Sequence, residues 1–271
     1  MPKTSFFQPF SRLCIVTLCF GLLPCQAQAA GSRLERILAD KQLRICIWPD
    51  YYGISYRNPK TQALSGIDID MAAALGKDLG VAVEFVDSSF ARLIADVTED
   101  RCDVAMFAIG INPQRQEKLQ FTQPHLASDI FAITTRSNRR IQTWEDIDQT
   151  GSVVAVAKGT LHEPIMRQRL KAAELRVLDT PQAREQEVES GRADVFMTDF
   201  PFSRRMLETT DWARLVKSPE TYHVTSYAYA MKPGDAIWHA RMERFVASVK
   251  QDGRLLEAAR RHKLDPIVVL K

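Results

Sequence analysis

The sequence predicts an α/β protein built as two successive parallel-sheet halves. Three observations carry that prediction. Short apolar runs alternate with helical segments through residues 33–109, the same rhythm resumes over 153–197 in an unrelated sequence, and two extended runs, 130–135 and 226–231, bracket the second half. Arg33 to Lys41 reads as a helix with Leu34, Ile37 and Leu38 on one face, and Leu43 to Ile47 as a strand. A helix over Asp68 to Leu79, a strand over Val81 to Val86, a helix over Phe90 to Thr98 and a strand over Val104 to Ile109 complete the first half. The second half reads as strand Val153 to Ala157, helix Pro164 to Ala173, strand Arg176 to Leu178, helix Pro181 to Ser190 and strand Ala193 to Met197. Helices over Ala236 to Gln251 and Leu255 to His262 close the chain. Two extended runs around an inserted unit predict two crossings. The expected bounds are 30–131 with 230–271 for one lobe and 132–229 for the other.

The N-terminus reads as an export signal. Lys3 and Arg12 give a positive start, Leu13 to Leu23 an apolar run, and Ala27-Gln28-Ala29 a small-residue cleavage site, so removal of residues 1–29 is expected. The apolar run is too short to span a bilayer, and no later stretch reaches the needed length. Pro24 fits poorly before a lipid-bearing Cys25, so the mature chain is expected to be soluble in the periplasm. Without residues 1–29 the formal charge falls from +3 to +1, with 34 Lys and Arg against 33 Asp and Glu. Near-neutral balance argues against nucleic-acid binding. Interleaved pairs such as Lys77-Asp78 and Arg184-Glu185 read as solvated surface. Cys46 and Cys102 remain after export, in a compartment that permits a disulfide. If their strands paired in parallel from their starts, the two would lie out of reach, so their state is open. No metal or cofactor is expected.

The most informative stretch is Met106 to Leu126. An apolar strand breaks at Gly110, Asn112 is placed to cap a helix, and Pro113 suits its first turn, where a missing N–H costs nothing. Arg115 then sits just beyond the carboxyl end of a strand, where open α/β sheets bind ligands. A guanidinium beside unpaired backbone N–H groups is a receptor for a carboxylate. The competing reading is a surface arginine on a solvated helix.

The run Asn112-Pro113-Gln114-Arg115 with Phe121-Thr122-Gln123-Pro124-His125 resembles the signature of the family 3 periplasmic solute-binding proteins, receptors of ABC importers. Gly66-Ile67-Asp68-Ile69-Asp70-Met71-Ala72 resembles a second box of that family, Lys158-Gly159-Thr160 its second-lobe turn, and Gly191 to Asp199 a fourth box. Asp252-Gly253 falls in a C-terminal helix, as family members have it. The resemblance spans roughly residues 33–265. It implies a bilobal clamshell, two parallel-sheet α/β lobes joined by two hinge strands, with an amino acid held between them and an inner-membrane permease as partner.

Candidate ligand contacts follow from strand ends and from the resemblance. Trp48 to Tyr56 is dense in aromatics, and Tyr51 is the best ligand contact there; Tyr52 and Tyr56 read as surface plugs. Phe90 opens a helix and is divided between ligand contact and core. Family receptors hold the ligand with hydroxyls ahead of the arginine. This chain has Phe107-Ala108-Ile109-Gly110, which leaves the Ala108 carbonyl and the Gly110 N–H, with glycine permitting close approach. In the second lobe, Thr160 and Leu161 precede a helix whose N-terminus favours an anion. Asp199 follows a strand, where the family holds an α-ammonium; a helix cap is the rival role. Asp68 and Asp70 read as caps and turn-formers. The leading function is a monomeric receptor for a small zwitterion or carboxylate, without catalysis. The rival is an enzyme, because Asp50 to Arg57 and Ile111-Asn112 also resemble periplasmic cyclohexadienyl dehydratases. Where those enzymes carry Gly-Thr-Asn-Glu, this chain reads Gly159-Thr160-Leu161-His162. A periplasmic accessory or sensory protein without an importer is the third reading.

Overall fold

A computed structural model describes residues 1–4 and 31–271. Apart from its first four residues, the expected export signal lies outside the described residues. Val104–Gly110 is the spine of the first sheet, and all seven of its residues are buried, as a strand covered on both faces requires. Gln42–Ile47 and Ala82–Asp87 extend the sheet in parallel on one side, and Thr225–Met231 pairs antiparallel on the other. The short strands Gln120–Phe121 and Leu126–Ser128 both attach to Thr225–Met231. The second sheet runs in the order Glu174–Leu178, Val153–Ala157, Val195–Thr198, Phe131–Thr135, Ala213–Val216.

The chain therefore crosses between sheets twice, after Leu126–Ser128 and after Ala213–Val216. It has re-entered the first sheet by Thr225, ahead of the return expected at residue 230. Each extended run belongs to one sheet, Phe131–Thr135 to the second and Thr225–Met231 to the first. The C-terminal helix Ala236–Gln251 packs back on the first lobe, burying Trp238, whose indole N–H donates to the Asp103 carbonyl at 2.9 Å. At the other end, Ser32 and Glu35 close a capping box on helix Arg33–Asp40.

Several local expectations are corrected. Phe90 does not open a helix; it lies in the turn before Leu93–Thr98. The helix expected from Pro164 starts at His162 and ends at Arg169. A small antiparallel sheet of Asp50–Tyr51, Ser55–Arg57 and Leu64–Ser65 folds the aromatic loop into a platform. Asp68 and Asp70 lie inside helix Ile67–Leu79 rather than before it, and Gly66 holds its N-cap with no side-chain bond. Asp68 is buried instead, accepting the Ala108 N–H at 2.7 Å and the Tyr229 hydroxyl at 3.2 Å, with His125 Nε2 at 3.3 Å. Asp70 pairs with Arg261 at 3.0 Å and with His262 at 2.9 Å. Ala108 takes a left-handed conformation, φ 48°, where the pairing with Thr225–Met231 shifts register. A bulge of this kind re-aims a strand end, and here Asp68 takes up the N–H that the ladder leaves free.

Cys46 and Cys102 form a disulfide, with Cα atoms 5.5 Å apart. The strands do not pair from their starts: Val104 lies opposite Ile45, well inside the neighbouring strand, which narrows the offset between the two cysteines. Cys102 lies ahead of the strand, in the bend that leads into it, from where it reaches Cys46. Among the described residues no helix is long and apolar enough to cross a membrane, and no group of three or more His, Cys, Asp or Glu is disposed to hold a metal.

The bridge closes a loop across a sequence separation of 56 residues. Cys46→Ser with Cys102→Ser should therefore lower stability by about 2–4 kcal/mol, mainly by releasing the unfolded chain. Urea denaturation of the oxidised protein and the double variant measures this; equal midpoints would show that the bridge adds nothing.

Candidate functional site

The carboxyl ends of the two sheets face each other, and the site is built at that seam. Asn112 caps the turn Pro113–Gln116 by accepting the Arg115 N–H at 2.8 Å, which fixes the arginine's backbone. The Arg115 side chain is 4% exposed. Its Nη1 donates to the Gly110 carbonyl at 2.8 Å and its Nη2 to the Gly159 carbonyl of the opposite lobe at 3.0 Å. Its guanidinium lies 5.3 Å from the centre of the Phe90 ring. Burial lowers its pKa to about 10, against the pull of Tyr227 and Tyr51, so it remains a cation at neutral pH.

Asp199 stands on the other side. It caps helix Phe200–Thr209 by accepting the Phe202 N–H at 3.1 Å. Its second oxygen accepts the hydroxyls of Tyr51, from the first lobe, and of Tyr227, the latter at 2.9 Å. Burial pushes its pKa up, and the tyrosine and backbone donors oppose that shift. The cap and the ligand role are thus not exclusive. A carboxylate offers about four lone-pair sites, and three are engaged.

Against Asp199 lies a cavity of about 20 Å³, room for little more than one water. Of the residues expected to contact a ligand, Tyr51, Phe90, Ala108, Thr160, Leu161 and Asp199 line this cavity. Gly110 and Arg115 do not line it. Leu161 closes over Gly110: a Cβ added there would meet Leu161 Cδ2 at 2.8 Å and Thr225 Cγ2 at 3.0 Å. At Gly159, φ +75°, an added Cβ would meet the Ala91 backbone at 2.8 Å, so glycine is required for the lobes to approach this closely. An amino acid does not fit the closed cavity; the lobes must part to admit one. The Thr160 hydroxyl, expected near a ligand, is satisfied locally by donating to the Ala157 carbonyl at 2.6 Å, and the neighbouring Gly159 N–H donates to the Glu163 carboxylate at 3.1 Å.

The larger concavity, about 600 Å³ around Trp144, Arg169 and Tyr222, is open to solvent and shares no residue with the cleft cavity. It lacks the opposed buried charges of the cleft.

The cavity also draws in residues that the sequence did not single out as contacts: Trp48, His162, Arg184 and Phe202. Arg184 corrects an expectation outright. It is 2% exposed rather than a solvated partner of Glu185. Its position one helical turn before buried Val188 was the available signal. His162 is buried, with neither ring nitrogen in a hydrogen bond of good geometry. Burial first, and the Arg184 charge second, lower its pKa to about 3, while a contact with the Thr198 backbone opposes them. Tyr227 came into view only through the sheet, which turns it onto Asp199.

Two α/β lobes closed on a seam that holds two buried cations, Arg115 and Arg184, and one buried anion, Asp199, define a bilobal ligand-binding protein. The chain belongs to the bacterial extracellular solute-binding proteins, family 3, whose pattern matches residues 43–264. It is 32% identical over 257 residues to the cyclohexadienyl dehydratase of Pseudomonas aeruginosa, covering 94% of this chain and 93% of that one. It is 25% identical over 193 residues to the L-cystine-binding protein TcyJ of Escherichia coli, 71% of each chain. Among solved structures it is similar to the ancestral amino acid-binding protein AncCDT-1, a precursor of cyclohexadienyl dehydratase, with a TM-score of 0.78, 28% identity and coverage of 85% and 99%.

His162 yields a pH prediction. Its pKa is lower folded than unfolded, so the unfolded chain binds the extra proton between pH 6.5 and about 3. Its contribution is present in full above pH 6.5 and is lost as pH falls toward 3. His162→Gln should lose less stability than wild type between pH 7.5 and 4.5, read from urea midpoints. Parallel curves would mean that His162 is not held neutral by burial.

Proposed function

We propose that this chain is a periplasmic receptor that captures a small amino-acid-like ligand between its lobes for an ABC importer, as a monomer and without altering the ligand. The observation that carries this reading is the opposition of Arg115 and Asp199, one charge from each lobe, across a closed seam. Both are only 4% exposed. Arg115 offers a carboxylate the planar fork that such anions accept. Asp199 retains acceptor capacity for an ammonium. A ligand bridging the two would link closure to the presence of both of its charges, and closure is the signal a permease detects. Tyr51, Phe90 and Leu161 would wall its apolar part; Ala108, Gly110 and Thr160 would frame it with backbone. Membership of an extracellular solute-binding family supports the compartment and the partner.

A dehydratase is the second reading, favoured by the 32% identity to such an enzyme over 94% of this chain. That chemistry needs a proton donor over the leaving hydroxyl. His162, with a pKa near 3, is no acid at neutral pH. The Glu163 carboxylate is engaged by the Gly159 N–H and by Arg167, each at 3.1 Å. These features support binding without turnover.

Arg115→Met should weaken binding of any amino acid that raises the wild-type melting temperature by roughly 100-fold or more, the loss of a charge-assisted pair. Retained affinity would remove Arg115 from the site. Asp199→Asn should narrow the gap between an amino acid and its deaminated analogue; if wild type shows no gap, Asp199 is only a cap. Incubation with prephenate or arogenate should give no product above the spontaneous rate. Saturable turnover abolished by His162→Gln or Glu163→Gln would establish the enzyme instead.

A further inference from the structure

Arg184 is a buried cation without a direct ion pair among the described residues: the charges of Glu185 and Asp199 act on it through space, and Glu185 is itself paired with Arg205 at 3.3 Å. It projects from helix Pro181–Glu189 and lines the cleft cavity, with its guanidinium in the corner formed by the rings of Phe196 and Phe202, 4.4 and 4.6 Å from their centres. Nη1 donates to the Met197 carbonyl at 3.1 Å. Nε and Nη2 are buried and have no hydrogen-bond partner. Among the described residues no carboxylate lies within ion-pairing distance of it; Asp199, the acid in the cavity wall, is engaged by Tyr51, Tyr227 and the Phe202 N–H. Beside it, neither ring nitrogen of His162 makes a hydrogen bond of good geometry.

A buried charge with orphaned donors is expensive unless something enters to accept from them. The charges at the seam sharpen the point. Arg115 and Arg184 are positive, Asp199 is negative and His162 is neutral, which leaves one positive charge in excess. A zwitterion held between Arg115 and Asp199 brings no net charge. A ligand that adds one side-chain anion would balance the seam and satisfy Nε and Nη2 with a bidentate pair.

We propose that the ligand is an acidic amino acid, one bearing a side-chain carboxylate or comparable oxyanion, and that Arg184 receives that second anion. The proposal rests on the reading of Arg115 and Asp199 as the carboxylate and ammonium contacts. It also explains why an arginine occupies the apolar face of a helix: its two aromatic neighbours and one carbonyl hold the fork in place, leaving its other edge for the ligand.

Isothermal titration calorimetry with L-aspartate, L-glutamate, L-asparagine, L-glutamine, L-alanine and succinate tests it. Wild type should prefer an acidic amino acid over its amide by about 10–100-fold, the range of a charged hydrogen-bonded pair. Arg184→Gln should bring the two within about threefold, while Arg184→Lys keeps part of the preference. Because the wild-type preference is itself the readout, the test does not depend on either variant folding. Neutral amino acids bound as tightly as acidic ones, with binding still lost in Arg115→Met, would overturn the Arg184 proposal and leave the receptor reading standing. Succinate bound as tightly as aspartate would instead remove the ammonium contact and keep the second-anion site. No binding of any of the six would defeat both.

Discussion

Charges buried in a nearly dry seam are the constraint on which the rest of this structure depends. Arg115 comes from one lobe and Asp199 from the other, and each must be solvated by protein because water is almost excluded. The protein does this with permanent dipoles. Arg115 is met by the Gly110 and Gly159 carbonyls, and Asp199 by two tyrosine hydroxyls and a helix N-terminal N–H. Three of those contacts, Arg115 with Gly159 and both Tyr51 and Tyr227 with Asp199, cross between the lobes. Closing the lobes therefore completes the solvation of both charges, which makes the closed form a defined state rather than a chance apposition.

The scaffold around the seam is arranged to hold strand ends at fixed positions. Asp68, buried under the first sheet, holds the Ala108 N–H at the bulge and so sets the direction of the strand that leads to Gly110. The Cys46–Cys102 bridge joins the two parallel strands at the end opposite Gly110, where Cys102 precedes Val104. Outside the cavity the rim carries weaker links, such as Tyr52 with Glu208 at 3.3 Å and Lys263 with Glu208 at 3.4 Å. Exposed pairs of this kind contribute little each and leave the lobes free to part.

Much of this was legible in the chain. The apolar runs marked the longer strands of both sheets, most clearly Val104–Gly110, because a strand buried on both faces must be continuously apolar. The short strands Gln120–Phe121, Leu126–Ser128 and Ala213–Val216 gave no such signal. Asn112-Pro113 announced a capped turn with Arg115 in it, since both residues act through local backbone chemistry. Asp199 at a strand end was legible for the same reason. The aromatic platform at 50–65 was not, because its strands are two or three residues long and carry no period.

Arg184 separates what a sequence determines from what only folding decides. The sequence determined the succession of elements, the caps and the strand ends that form a cleft, because these depend on residues near one another in the chain. It assigned Arg184 to the surface because the neighbouring Glu185 looked like its partner. Only the tertiary structure decided otherwise. It closed Phe196, Phe202 and the opposite lobe around the guanidinium and left two of its nitrogens unpartnered, and such burial is a property of packed neighbours distant in sequence rather than of the residue itself.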